Sequence, residues 1–383
     1  MNIRPLYFLL VFAAAAIVLR IVGGVDPVIV FIVAAVGLIP LAKLIGDATE
    51  ELALYTGPKL GGLLNATLGN AAELIITIIA LNAGLVDLVK ASITGSIIGN
   101  LLLVLGLSLL LGGLKHGTQV FNRRTAGVNA TLLILAVALL AIPSLFDPAL
   151  LDVPERELLF SEGVAIIAII VYGLSVLYSF TAKEPTVNPD NPSAMSTGAA
   201  VITREPAAAD IHEARWTVQF SLIVLGLATV GTAFVSEILV GAVEPVVETL
   251  GLSEFFLGII IIPLIGNIAE HLVAVQVALK NKMELSLAVS LGSSLQIALF
   301  VAPVLVFVGL LLGQRLLLVF NTYELIALFV TVLIAAFIAL DGESNWLEGA
   351  MLLALYIIIV IAFFVLPEIA VKGAGEASAL LVH

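Results

Sequence analysis

Apolar residues in this chain gather in runs of about 20, and short polar breaks separate the runs. Runs of that length are transmembrane helices rather than the one-sided stripes of soluble ones. Span 1 covers about 5–23 and ends at Gly23, Gly24, Asp26 and Pro27. Span 2 runs from about 27 to 55 and turns amphipathic at its end, with Lys43, Asp47, Glu50 and Glu51. Spans 3 to 6 fall at about 60–83, 89–114, 124–145 and 158–181. A polar stretch, 182–215, rich in Pro, Ala, Ser and charge, follows and reads as a linker. Spans 7 to 11 lie at about 216–240, 253–279, 285–312, 317–340 and 346–367. The expected fold is an all-α integral membrane protein of about 11 helices.

Two of these spans carry nearly the same words. Gly69-Asn70-Ala71-Ala72-Glu73 in span 3 matches Gly266-Asn267-Ile268-Ala269-Glu270 in span 8, and Gly95-Ser96 matches Gly292-Ser293, all 197 positions apart. The repeat aligns without gaps from Gly61/Gly258 to Gly112/Gly309. Leu and Val matches cost nothing in a membrane; the Gly, Asn, Glu and Ser matches carry the repeat. A carboxylate in mid-span costs roughly 3 kcal/mol and marks an ion or proton path by default. One helix plus five plus five requires the second copy to be inserted upside down, which puts the shared site near the midplane. The organisation expected is an N-terminal helix (1–25), a first repeat (26–181), a linker (182–215), a second repeat (216–367) and a tail (368–383).

Composition agrees. The chain is 61% hydrophobic and 11% charged, against about 45–50% and about 25% for soluble domains. There is no cysteine, so disulfides and thiolate chemistry are excluded. The net charge is −12 with no basic stripe, which argues against nucleic acid as a partner. The start, Met1-Asn2-Ile3-Arg4-Pro5, leads into the first span without a small-residue cleavage site. Lys115, Arg123 and Arg124, then Lys280 and Lys282, then Lys183, Arg204 and Arg215 all fall on one side if the spans alternate. That side is expected to be the cytoplasm, with the N-terminus inside and the C-terminus outside. Acids crowd the other side (Asp147, Asp152, Glu155, Glu157, Glu244, Glu248, Glu254), although Asp341 and Glu343 fall inside.

In a helix Asn70 and Glu73 share a face, as do Asn267 and Glu270. Brought together, they offer two carboxylates, two amide oxygens and, where the flanking glycines loosen the helix, backbone carbonyls. These hard oxygen ligands suit Ca²⁺ better than Mg²⁺ or Mn²⁺. Emptied of metal, two carboxylates in low dielectric cannot both stay charged, so protons take the cation's place. Exchange by mutual exclusion follows if the site opens to one side at a time. Glu73 and Glu270 are thus candidate metal and proton sites, with Asn70 and Asn267 as helpers. The bland readings are a buried acid paired for assembly and an interhelical amide bond. A second acidic tier pairs Thr49-Glu50 in span 2 with Ser236-Glu237 in span 7, 187 positions apart, as an access route or as interfacial acids. His271 is a proton-relay candidate or an interhelical histidine. Ser96, Ser293 and Gln296 are candidates for the remaining polar lining.

Gly-Asn-Ala-Ala-Glu-Leu (69–74) with Gly-Ser-Ile-Ile-Gly-Asn-Leu-Leu-Leu (95–103) resembles the first α-repeat of the Ca²⁺/H⁺ exchangers of the calcium/cation antiporter superfamily. Gly-Asn-Ile-Ala-Glu-His (266–271) with Gly-Ser-Ser-Leu-Gln-Ile-Ala-Leu-Phe (292–300) resembles the second. The resemblance covers about 26–366. It implies Glu73 and Glu270 as central ligands, Glu50 and Glu237 lining access routes, and spans 2 and 7 as the tilted helices whose sliding alternates access. It implies an antiporter, not an enzyme, with Ca²⁺ and H⁺ as substrates, no cofactor, the lipid bilayer as surroundings and room for a homo-oligomer. Short termini point to a prokaryotic plasma membrane. The Na⁺/Ca²⁺ exchangers put a hydroxyl residue where Asn70 and Asn267 stand, so the asparagines favour protons. A cation channel with a Glu/Asn filter is the alternative from another class, and an intramembrane protease dyad is disfavoured because such dyads use Asp.

Overall fold

The computed structural model describes residues 4–150, 153–181 and 214–366. Nearly all of the linker expected at 182–215 (with Lys183 and Arg204), the tail after 367 and Asp152 lie outside the described residues. The first half holds a 3₁₀ turn (Arg4–Leu9), then α1 (Leu10–Val22), α2 (Pro27–Leu68), α3 (Ala71–Asn82), α4 (Val86–Ile98) and α5 (Leu105–His116). It continues with β1 (Gln119–Val120), α6 (Arg123–Leu150) and α7 (Pro154–Thr181). The second half runs α8 (Val218–Gly241), α9 (Val243–Leu250), α10 (Glu254–Phe256), α11 (Ile262–Gly266) and α12 (Ile268–Leu279). After these come α13 (Met283–Gln296), α14 (Ala302–Leu312), α15 (Thr322–Asp341), β2 (Glu343–Ser344) and α16 (Trp346–Val365). The architecture is all-α and multi-spanning, and the segments paired by the 197-residue offset recur in the same order in both halves.

Eleven apolar segments appear where the sequence places them, but among the described residues only eight are continuous helices of spanning length. Span 1 is short, Leu6–Val22. Span 3 breaks between α2 and α3 at the Gly69-Asn70 turn. Span 8 bends by 61° between Gly266 and Ile268. Both breaks sit at the Gly-Asn pair, because that is where the intrahelical ladder is given up. Spans 4 and 9 stay continuous but carry π-helical turns at Gly99–Val104 and Ile297–Val301, related by the same repeat. Such turns widen a helix by one residue and gather at functional sites.

Two glycines let the broken span 8 lie backbone to backbone on α4. A Cβ at Gly258 would sit 2.7 Å from the Leu88 carbonyl oxygen, and one at Gly95 would land on the Ile259 carbonyl. Without a hydrophobic drive between helices in lipid, this close van der Waals approach is what association rests on. The ends are sorted as alternation requires. At one end Lys115 Nζ donates to the Leu279 carbonyl (2.8 Å) and Gln119 Nε2 to Asn281 Oδ1 (2.9 Å). Antiparallel pairing of β1 with β2 brings the Asp341–Glu343 loop to this same basic end. At the other end the Leu88 amide donates to Glu254 (3.2 Å). There Thr94 Oγ1 also donates to Glu324 (2.7 Å), whose carboxylate completes the capping box of α15.

Candidate cation site

Asn70 and Asn267 are the N-cap residues of α3 and α12, and Glu73 and Glu270 stand in the first turns. An N-cap asparagine ordinarily turns its side chain onto the helix's own free N–H groups. Neither does so here. Both amides reach across to the other repeat instead. Asn70 Nδ2 donates to Gln296 Oε1 on α13 (2.6 Å), and Asn267 Nδ2 donates to Ser96 Oγ on α4 (3.1 Å). Ser96 in turn donates to Glu73 Oε1.

The repeats therefore interlock at their motifs. Glu73 is 2% exposed and Gly266 lies against it, with a would-be Cβ 3.5 Å from the Glu73 Cα. Among the buried oxygens here that accept no hydrogen bond are Glu73 Oε2 and Asn70 Oδ1. A buried acceptor without a donor costs about 1–3 kcal/mol, so a pair of them beside a second carboxylate is an arrangement for a proton or a cation. Among the described residues no third carboxylate or imidazole joins to form a larger cluster. Amide, hydroxyl and carbonyl oxygens would have to complete the coordination of a cation held by Glu73 and Glu270.

His271 is buried on the far side of the same turn, with Nε2 3.2 Å from Asn100 Oδ1. Asn100 Nδ2 then donates to Ser293 Oγ (3.1 Å). Asn100 was not singled out from the sequence. Its signal was a polar residue inside the quoted 95–103 segment, one position out of register with Gln296, so the repeat did not flag it.

The second tier is placed differently. α2 turns Ala42, Ile45 and Thr49 inward, and Ala42 and Ile45 pack with Ala72 and Ala228. Glu50 follows Thr49 about 100° around α2 and is exposed. On α8, Thr232, Ser236 and Leu239 are buried while Glu237 is exposed at the end of the outward stripe of Val230 and Phe234. Glu50 and Glu237 are thus not brought to the Glu73–Glu270 junction; Ser236, beside Glu237, is buried with an unpartnered hydroxyl. Glu51, left as interfacial by the sequence, accepts from the backbone N–H of Arg215 (2.9 Å) and Trp216 (3.2 Å) and fixes where the chain re-enters at α8.

Comparison with known proteins decides the family. Residues 27–181 and 220–365 match the sodium/calcium exchanger protein family. The chain belongs to that family. Among its relatives, a Ca²⁺/H⁺ antiporter of Aphanothece halophytica is 49% identical over 353 residues, 90% of this exchanger and 93% of the relative. The Ca²⁺/H⁺ antiporter ChaA of Bacillus subtilis is 42% identical over 365 residues, 94% of this exchanger and 99% of the relative. The solved structure of native YfkE superposes with a TM-score of 0.79 at 38% identity, covering 94% of this exchanger and all of that chain, 100%. These matches bear out the resemblance read from the two motifs and the multi-pass membrane fold.

Proposed function

We propose that the protein is a secondary antiporter exchanging Ca²⁺ for H⁺ at a single site made by Glu73 and Glu270, with Asn70 and Asn267 assisting. The observation that carries this reading is the pair of orphaned acceptors, Glu73 Oε2 and Asn70 Oδ1, buried where the two broken helices meet. The Asn70 amide nitrogen is engaged by Gln296, which leaves its oxygen for the site. Acceptors with no donor recruit positive charge. Two carboxylates neutralise one divalent cation or take up protons in its place, so the two substrates exclude each other. The naming of the relatives as Ca²⁺/H⁺ antiporters supports the choice of ions. Alternating access comes from the inverted repeat, in which each half supplies one glutamate and one access side.

Everted vesicles holding the protein, given an acid interior, are expected to accumulate ⁴⁵Ca²⁺, and an imposed Na⁺ gradient is expected to do nothing. Uptake driven by Na⁺ instead would make the protein a Na⁺/Ca²⁺ exchanger. Ca²⁺ flux without any proton movement at a pH electrode would make it a channel. Protons and Ca²⁺ compete for one site, so the apparent KM for Ca²⁺ is expected to rise as the Ca²⁺-loading side is acidified. The side bearing Lys115, Arg123, Lys280 and Lys282 is proposed as cytoplasmic, testable by labelling cysteines placed singly in this cysteine-free chain.

A further inference from the structure

The repeat leaves one polar group unexplained. On the outward side of α2, in line with Glu50, Lys43 Nζ donates to Asp47 Oδ1, and the Tyr7 hydroxyl, from the turn that precedes α1, donates to Asp47 Oδ2. The 187-residue offset that relates Glu50 to Glu237 sets Val230 and Phe234 of α8 opposite Lys43 and Asp47. Val230 and Phe234 are 54% and 59% exposed, as lipid-facing residues are. Lys43 is buried, so in the first repeat the matching face is covered. Tyr7, from the turn that leads into α1, reaches this face.

Three further features fix α1 on α2. Only four residues, 23–26, join them, and Gly23 and Gly24 both take positive φ (67°) to make the turn. The Asp26 carboxylate accepts from the Val28 amide (2.8 Å) at the start of α2. At the crossing a Cβ on Gly37 would stand 2.7 Å from the Ala13 Cα, an approach that leaves no slack. At the far end of α1, Arg20 lies beside α8, its Nη1 3.6 Å from where a Cβ on Gly241 would be, one turn beyond Glu237.

We propose that Tyr7, Lys43 and Asp47 are positioning residues for exchange: they bolt α1 to α2 so that the two move as one body. A buried ion pair is expensive unless its remaining lone pairs are satisfied, and Tyr7 donates to the second Asp47 oxygen. Deleting the contact loosens the Tyr7 end of α1 from α2, the helix that leads through Gly57 into the Asn70–Glu73 turn. Among the described residues no such strap runs along Val230 and Phe234, so the two halves are held unequally. This inference rests on the proposed antiport.

The chain has no cysteine, so an engineered pair is unique. Ala16→Cys/Ala34→Cys lies one turn from the Ala13–Gly37 crossing on both helices and leaves the triad intact; both positions are fully buried. Cross-linked protein in proteoliposomes is expected to exchange Ca²⁺ at the rate of the reduced protein; loss of exchange on cross-linking overturns the one-body reading. Tyr7→Phe, and the graft Lys43→Val/Asp47→Phe that copies the second repeat, are expected to lower Vmax about 5-fold with the Ca²⁺ KM unchanged, since the triad never touches the cation. Asp47→Glu is expected to recover most of the rate. Wild-type Vmax in both Tyr7→Phe and the graft makes the triad packing alone and sinks the proposal. Should wild type itself show no antiport, spin labels on α1 and α2 still report. Their separation is expected to stay fixed with and without Ca²⁺ while the α2–α3 distance changes, and movement of α1 against α2 refutes it independently.

Discussion

Glu73 and Glu270 are partners in the repeat, yet the structure treats them differently. Glu73 is sealed in protein, takes a hydrogen bond from Ser96, and Ser96 is held by Asn267 of the other repeat. Glu270 is half-buried. Residues without a repeat counterpart make the cross-links on both sides: Gln296 holds Asn70, and His271 and Asn100 hold each other. A duplicated sequence therefore does not give a symmetric site. The two copies have diverged at their contacts, and the two glutamates differ in burial.

Chemistry at the centre should nevertheless need both. Glu73→Gln and Glu270→Gln are each expected to lower proton-driven Ca²⁺ uptake at least ~100-fold, about 2.7 kcal/mol of lost cation stabilisation. The check is initial-rate ⁴⁵Ca²⁺ uptake normalised to folded protein. Retention of more than a tenth of wild-type uptake in either variant would reduce that glutamate to a bystander and break the pairing.

The next test asks whether the halves differ in packing as well. Gly95 and Gly292 are repeat partners, but a methyl at Gly95 meets the Ile259 carbonyl whereas one at Gly292 meets nothing within 4 Å. Gly95→Ala is expected to destabilise the fold by ~3 kcal/mol through overpacking, and Gly292→Ala to stay within ~0.5 kcal/mol. Thermal unfolding of the two detergent-purified variants reads the difference. Equal midpoints would mean that α4 and the broken span 8 are not in backbone contact.

Much of this was legible beforehand because membrane solvent punishes the wrong residue so heavily. Apolar run length gave the segments, and the odd helix count gave the inversion. The duplicated Gly-Asn-x-Ala-Glu marked where the two helices break, since a glycine and a polar residue in mid-span have few other uses. What stayed hidden depends on helix rotation and on partners from afar. Glu50 and Glu237 match between repeats as an access route or as interfacial acids, but repetition says nothing about which way a side chain faces; both are exposed. Asn100 was missed because its partners, Ser293 and His271, are nearly two hundred positions away and its repeat position holds Ile297. The Tyr7–Asp47 contact joins an unrepeated turn to α2, which no internal comparison reveals.

The serines offer a finer contrast. Ser96 donates directly to the Glu73 carboxylate and accepts from Asn267, while Ser293 accepts from Asn100. A hydrogen bond to a charged group contributes roughly 1.5–3 kcal/mol and a neutral one about 1. Ser96→Ala is expected to raise the Ca²⁺ KM roughly tenfold, and Ser293→Ala less, by roughly fourfold. Reversal of that order would place the tighter half of the site around Glu270.

His271→Leu writes the first repeat's residue, Leu74, into the second and so tests the unshared support directly. His271 Nε2 faces the Asn100 amide oxygen, an acceptor, so the ring donates there and carries its proton on that nitrogen. The ring's task in this geometry is to hold Asn100 so that its other end reaches Ser293. Losing one neutral hydrogen bond of about 0.7 kcal/mol predicts roughly a threefold rise in KM. The pH profile of exchange is expected to keep its shape. His271→Gln, which retains a donor, is expected to recover most of the affinity. A profile that shifts in His271→Leu would instead make the imidazole a carrier of the exchanged proton. The second repeat would then contribute a second titrating group to the cycle rather than a brace, and the asymmetry between the halves would lie in their proton chemistry.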